Sequence, residues 1–117
     1  MRLAVIGSRG ANVEDLGKYL PPGVTEIVSG GARGIDRCAQ AYAQENGIPC
    51  RVFLPDYRRY GRGAPLRRNR KILEYADAVL AFWDGTSRGT AYTVALAREL
   101  GMQVLVVPVC GAGGSSK

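Results

Sequence analysis

Five short apolar runs alternate with stretches of helical periodicity along the chain. Leu3–Ile6, Thr25–Ser29, Arg51–Leu54, Ala78–Phe82 and Gln103–Val109 read as strands. Between the first two, Val13–Leu20 is predicted as a helix, with Asn12 as its cap and Asp15 three residues on in a capping-box arrangement. Pro21-Pro22-Gly23 stops it. The second helix follows Gly34 and runs to about Asn46. Ile35, Ala39, Tyr42 and Ala43 recur at i, i+4, i+7 and i+8 to form its buried stripe, and Gly47 is placed to end it. Pro55–Gly63 reads as a long polar loop. A helix over Ala64–Tyr75 carries Pro65 in its first turn, and another runs from the Ser87 cap to Leu100, closed by Gly101.

Strands that are continuously apolar, such as Val79-Leu80-Ala81-Phe82 and Val104-Leu105-Val106-Val107, are expected to be covered on both faces. Regular βα alternation then gives a parallel sheet with right-handed crossovers, an α/β doubly wound fold. Residues 1–109 form one domain with no internal repeat, and the glycine- and serine-rich residues 110–117 have the composition of a flexible tail.

In such a sheet ligands bind beyond the carboxyl ends of the strands, where the strand order reverses. The residues after strands one, two and four are Gly7-Ser8-Arg9-Gly10, Ser29-Gly30-Gly31-Ala32-Arg33-Gly34 and Asp84-Gly85-Thr86-Ser87-Arg88-Gly89-Thr90. Each turn opens a helix, whose first N–H groups are left without an acceptor and attract anions. Glycine lets the backbone approach a phosphate closely. Arg9, Arg33 and Arg88 add charged forks, and Ser8, Ser29, Ser87 and Thr90 add hydroxyls. One such turn could be glycine-rich for βα-loop geometry alone; three at one rim point to a phosphate site, with turn geometry as the alternative.

Composition removes other chemistries. There is no histidine, which excludes His-based acid–base catalysis and His metal ligation. Cys38, Cys50 and Cys110 stand far apart with no C-x-x-C pair, which argues against a zinc site or a disulfide framework and fits a reducing compartment. No apolar run approaches the ~18 residues of a membrane span, and the N-terminus lacks a signal peptide, so the expected location is the cytoplasm, away from membranes. The net charge is +6, and eight of the sixteen basic residues lie between Arg51 and Lys71, opposed there only by Asp56. That excess suggests an anionic partner, or else a solvated basic face.

The carboxylates at the same rim each admit two roles. Asp36, early in its helix, suits the helix dipole or a ribose hydroxyl. Asp84-Gly85 is a turn pair as well as a possible sugar contact. Asn69 falls on the apolar side of its helix with Ile72 and Ala76, so it needs a backbone partner or a ligand. Trp83 suits core packing or base stacking, and Tyr57 and Tyr60, interleaved with arginines, are placed to stack on bases.

Ile27-Val28-Ser29-Gly30-Gly31-Ala32-Arg33-Gly34-Ile35-Asp36 resembles the signature of the SLOG superfamily, named for Smf/DprA and LOG proteins, and Gly7-Ser8-Arg9 matches it upstream. Arg68-Asn69 and Phe82–Thr90 are most similar to its small stand-alone YspA/YpsA-related branch. The resemblance implies a Rossmann-like, three-layer sandwich whose five parallel strands are ordered 3-2-1-4-5. It also implies a nucleotide-type ligand at the three turns. LOG-type relatives cleave the N-glycosidic bond of nucleoside monophosphates with a glutamate, where this chain has Thr93; Asp84 or Asp36 would have to substitute as the catalytic carboxylate. DprA-type relatives bind single-stranded DNA, and the basic, tyrosine-bearing segment suits a strand.

The leading expectation is a sensor or carrier of a nucleotide or nucleotide-derived ligand, with no cofactor required. Backbone amides of Gly7–Gly10, Gly30–Gly34 and Gly89–Thr90 hold phosphate, Arg9, Arg33 and Arg88 neutralise it, and Asp84, Asn69 and Asp36 orient sugar or base. The competing expectations are a phosphoribohydrolase-type N-glycosidase and a single-strand binder, and the resemblance suggests a homodimer or higher homo-oligomer.

Overall fold

Five parallel strands form one sheet in the order β3-β2-β1-β4-β5, in a computed structural model that describes residues 1–8, 10, 13–31 and 34–109. They are β1 (Arg2–Gly7), β2 (Glu26–Ser29), β3 (Cys50–Val52), β4 (Ala78–Trp83) and β5 (Gln103–Pro108). The chain winds outward from β1 to β3, then returns across the sheet to lay β4 on the other side of β1. The five-stranded Rossmann-like α/β architecture and its strand order are therefore as expected. Because β1 pairs with β4 from Leu3↔Ala78 to Gly7↔Phe82, their carboxyl ends lie side by side where the winding reverses.

The continuous apolar runs of the central strands divide by the two-residue period into two cores. Leu3, Val5, Leu80 and Phe82 face α1 (Ile35–Glu45), meeting Ile35, Ala39 and Ala43. Ala4, Ile6, Val79 and Ala81 face α3 (Ala64–Tyr75) and α4 (Arg88–Glu99), meeting Ile72, Leu73, Val94 and Ala97. Gly47, at φ 66°, ends α1 in the left-handed region, as its position suggested.

Three expectations need correction. The helix predicted over Val13–Leu20 is a single 3-10 turn, Leu16–Tyr19, and Asp15 makes no side-chain cap bond to it. Two local facts oppose a longer helix. Leu20 precedes Pro21 and is held extended at ψ 131°. Gly17 packs so closely on Tyr42 that a Cβ there would lie 2.8 Å from the phenol oxygen. The Asn12 cap lies outside the described residues, as do residues 110–117 and Cys110.

The segment predicted as a polar loop, Pro55–Gly63, contains a short helix, α2 (Tyr57–Tyr60), and a 3-10 turn, Gly61–Gly63. The Asp56 carboxylate accepts from the Arg59 N–H at 3.2 Å and caps α2.

Finally, β4 is covered on both faces, but β5 is not. As the edge strand it has one strand neighbour, and the 3-10 turn leaves open a groove of about 450 Å³ along Leu3, Tyr19, Pro21, Leu80 and Leu105. Leu105 is 52% exposed. Among the described residues no helix is long and apolar enough to cross a membrane.

The close approach of α1 to β1 makes a testable demand. A Cβ at Gly7 would sit 2.4 Å from Ile35 Cγ1 and 2.7 Å from the Phe82 carbonyl oxygen. Gly7→Ala is expected to destabilise the fold by about 1–3 kcal/mol, measured as a lower urea midpoint. An unchanged midpoint would contradict this packing.

Candidate functional site

The strand ends build the floor of a cleft. Beyond β1 the chain passes directly into Ser8, 2% exposed, whose N–H donates to the Phe82 carbonyl at 3.1 Å. Its hydroxyl oxygen accepts from the Asp84 N–H at 3.2 Å, so the turns after β1 and β4 are tied together. Asp84 then organises its own turn. Its Oδ1 accepts from the N–H groups of Thr86 (2.9 Å) and Ser87 (2.8 Å) and from the Thr86 hydroxyl (3.2 Å). Those bonds hold the Asp84 carboxyl below its ordinary value of 3.8, the Thr86 and Ser87 amides contributing most.

The same turn starts α4. Ser87 caps the helix, its Oγ accepting from the Thr90 N–H at 3.4 Å. Helix geometry leaves the Arg88 and Gly89 N–H groups with no intrahelical acceptor. Gly89 is glycine for neither of the usual reasons. A Cβ built there meets nothing within 4 Å, and its φ is not in the left-handed region. It lines the cleft, so its missing side chain keeps space at the helix start.

The opposite wall belongs to α3. Ala64, Arg68 and Ile72 stand at i, i+4 and i+8, and all three are buried, Arg68 at 8% exposure. A guanidinium taken out of water needs acceptors. Its Nη1 donates to the Gly30 carbonyl in a short contact, and its Nε donates to Asn69 Oδ1 at 2.7 Å. Asn69 Nδ2 donates to Thr93 Oγ1 at 2.9 Å, and the Thr93 hydroxyl donates to the Gly89 carbonyl at 2.8 Å. This series of bonds joins the turn after β2, α3 and the first turn of α4. Gly30 is required by it, because a Cβ there would lie 2.6 Å from Arg68 Nη1.

The cleft encloses about 440 Å³. Of the residues anticipated there, Gly7, Ser8 and Gly30 reach it from the first two turns, and Asp36 and Asn69 from the helices. Asp84, Ser87, Gly89 and Thr90 reach it from the third turn. Ser29, Gly31, Gly34 and Arg88 do not line it. Ser29 is fully buried and works within its loop, donating to the Asp36 carbonyl at 3.3 Å and accepting from the Gly31 N–H at 3.4 Å. Gly31, at φ 73°, lies under Leu54 and Val52, and Gly34, at φ 72°, is the N-cap of α1. Arg88, the first residue of α4, is exposed. Arg9 and Arg33 lie outside the described residues.

Asn69, Trp83 and Tyr60 have structural partners. Asn69 bonds to the side chains of Arg68 and Thr93, in place of the backbone group anticipated as its structural partner, and it also lines the cleft. Trp83 braces its loop, its indole N–H donating to the Ser87 carbonyl at 2.9 Å, and neither it nor Tyr57 nor Tyr60 lines the cleft. Arg68 itself, with Pro65 and Leu66, lines the cleft although nothing in the glycine-rich turns points to it. The usable signal is the spacing of Arg68 between two apolar positions of one helix stripe. Among the described residues no cluster of acidic side chains and cysteines could hold a metal ion.

The Asp84 turn predicts a pH dependence. A carboxyl whose folded value lies below its unfolded one adds stability above the unfolded value, and that stability is lost as pH falls through the folded one. Asp84→Asn has no such charge. The melting-temperature advantage of the native chain over Asp84→Asn is therefore expected to be full near neutrality and to shrink below 3.8. An advantage independent of pH would contradict the assignment.

Comparison with known proteins adds the family. No curated protein and no solved structure matches the chain. The family model described as YspA, cpYpsA-related SLOG family (YAcAr) matches residues 1–60, which span β1 to α2 and include the turns after β1 and β2. With half of its length matched, and with the turns of that half meeting those of α3 and α4 at one cleft, the chain belongs to the YspA, cpYpsA-related SLOG family.

Proposed function

We propose that the cleft binds a nucleotide or nucleotide-derived phosphate ligand and that the protein acts as a sensor or carrier of it. The observation that carries this reading is Gly89. Alanine is the better helix former and would fit there sterically, so the fold alone does not ask for glycine. An anion at the start of α4 does, because it must approach the Arg88 and Gly89 amides closely.

Around that point the parts have complementary roles. Arg68 supplies a fixed positive charge in the wall, and its fork is set before any ligand arrives by Gly30 and Asn69. Asp84 keeps its charge at neutral pH and lines the cleft, where a carboxylate accepts from a ribose hydroxyl. Asp36 lines the cleft from the first turn of α1 and is a second carboxylate there. Membership in a SLOG family is consistent with nucleotide-related binding or processing.

Turnover by an N-glycosidase mechanism is the less favoured reading. Thr93, fully buried, is bonded to Asn69 and Gly89 and does not line the cleft. A group so placed braces the wall and offers no carboxylate to an oxocarbenium-like transition state.

The test is calorimetric titration with AMP, ADP-ribose and dinucleotides. Binding of at least one is expected, and Gly89→Ala is expected to weaken it about tenfold or more while leaving the melting temperature unchanged or raised. No heat with any of them at millimolar concentration would overturn the proposal. Equal affinity in Gly89→Ala would remove the helix start from the site.

A further inference from the structure

The positive charge between Arg51 and Lys71 remains outside the cleft. Apart from Arg68, every basic residue in that segment is exposed. Arg58, Arg59 and Arg62 come from α2 and the 3-10 turn, and Arg67, Arg70 and Lys71 from α3. The acids nearby do little to balance them. Asp56 is engaged in capping α2, and Glu74 pairs with Arg70 alone, at 3.5 Å between two exposed side chains.

The centre of this ridge is Tyr60. The Arg67 guanidinium lies 4.4 Å from its ring centroid and that of Arg59 5.3 Å. Neither forms an ion pair among the described residues. Two like charges are thereby gathered at one half-buried ring. An anion is the partner such a surface fits. Tyr57, 55% exposed, and Leu54, 71% exposed, add flat or apolar faces beside it.

The ridge is continuous with the cleft. Pro65 and Leu66 line the cleft from the first turn of α3, Arg67 follows them directly, and Arg70 lies one helical turn beyond Leu66. A mononucleotide would fill the cleft and leave the ridge unused. A single strand carries one charge per nucleotide and presents base faces at the same spacing, which is what arginines interleaved with tyrosine accept. A strand's 5′-terminal phosphate is a monoester, with close to twice the charge of an internal diester, and so is the phosphate best matched to the α4 start and Arg68.

From this we infer that the ligand is the 5′-phosphorylated end of a nucleic-acid single strand, its terminal nucleotide in the cleft and its following phosphates on the α2–α3 ridge. The inference rests on the cleft being a nucleotide site.

The experiment compares AMP with 5′-phosphorylated and 5′-hydroxyl oligoadenylate, labelled at the 3′ end and followed by fluorescence anisotropy. The phosphorylated strand is expected to bind about 100-fold or more tighter than AMP, as two linked contacts should. The 5′-hydroxyl strand is expected to bind at least about tenfold weaker than the phosphorylated one, and excess AMP to displace both from the cleft. With four phosphate contacts, raising salt from about 50 to about 200 mM weakens the strand roughly 50-fold, and with two contacts roughly sevenfold. The double variant Arg59→Gln/Arg67→Gln is expected to move the strand from the first behaviour toward the second and to leave AMP affinity unchanged. If AMP binds and the strand binds no tighter, the inference fails and the nucleotide site stands. If the strand binds regardless of its 5′-phosphate and of AMP, the ridge is a separate surface and the inference also fails. If AMP and the other mononucleotides do not bind, the cleft reading itself falls, and the inference with it.

Discussion

A guanidinium that cannot lose its proton has been placed inside the wall of this protein, and the site is arranged around satisfying it. Arg68 is held by the Gly30 carbonyl and by Asn69, Asn69 by Thr93, and Thr93 by the Gly89 carbonyl. Desolvating the charge is tolerable only with these acceptors in place. The consequence is mechanical as well as electrostatic. Two cleft-lining turns that are far apart in sequence are fixed relative to one another through α3, and a cation is held in the cleft wall.

The second constraint is the reversal of winding between β1 and β4. It sets Ser8 beside Asp84, and the Ser8–Asp84 bond carries that proximity into the loop that starts α4. Asp84 is then a loop builder first. Its ionised state follows from amides that point at it, so it contributes a standing negative charge and not a proton donor at neutral pH. The cleft is thus lined by a buried arginine and by a stable carboxylate, the two charges that the proposed reading assigns to the anionic and the hydroxyl-bearing ends of a nucleotide.

Much of this is legible in the sequence, and the exceptions have physical causes. β1, β4 and the turns that follow them are marked by unbroken apolar runs ending in glycine and polar residues, the pattern of strands covered on both faces. The first crossover is not legible, because its helical periodicity is overridden by the Leu20-Pro21 junction and by the contact of Gly17 with Tyr42, neither of which periodicity reports. Arg68 is hidden among exposed arginines, where charge suggests solvent, although Ala64 and Ile72 share its stripe. Arg88 misleads in the opposite sense. Its place in a glycine-rich turn suggests a side chain facing the cleft, but at the first helical position it is exposed and does not line the cleft. Asn69 lies on the inner face as its spacing indicates, yet its partners come from two helices and only the fold brings them together.

The most direct test of the cleft as the binding site is an amide NMR titration of the protein with AMP. The Ser8, Arg88 and Gly89 N–H signals are expected to shift together and saturate at one affinity, along with the side-chain Nε–H of Arg68. Shifts confined to the opposite end of the sheet, around Thr25 and Asp77, or spread evenly over the surface arginines without saturation, would contradict it.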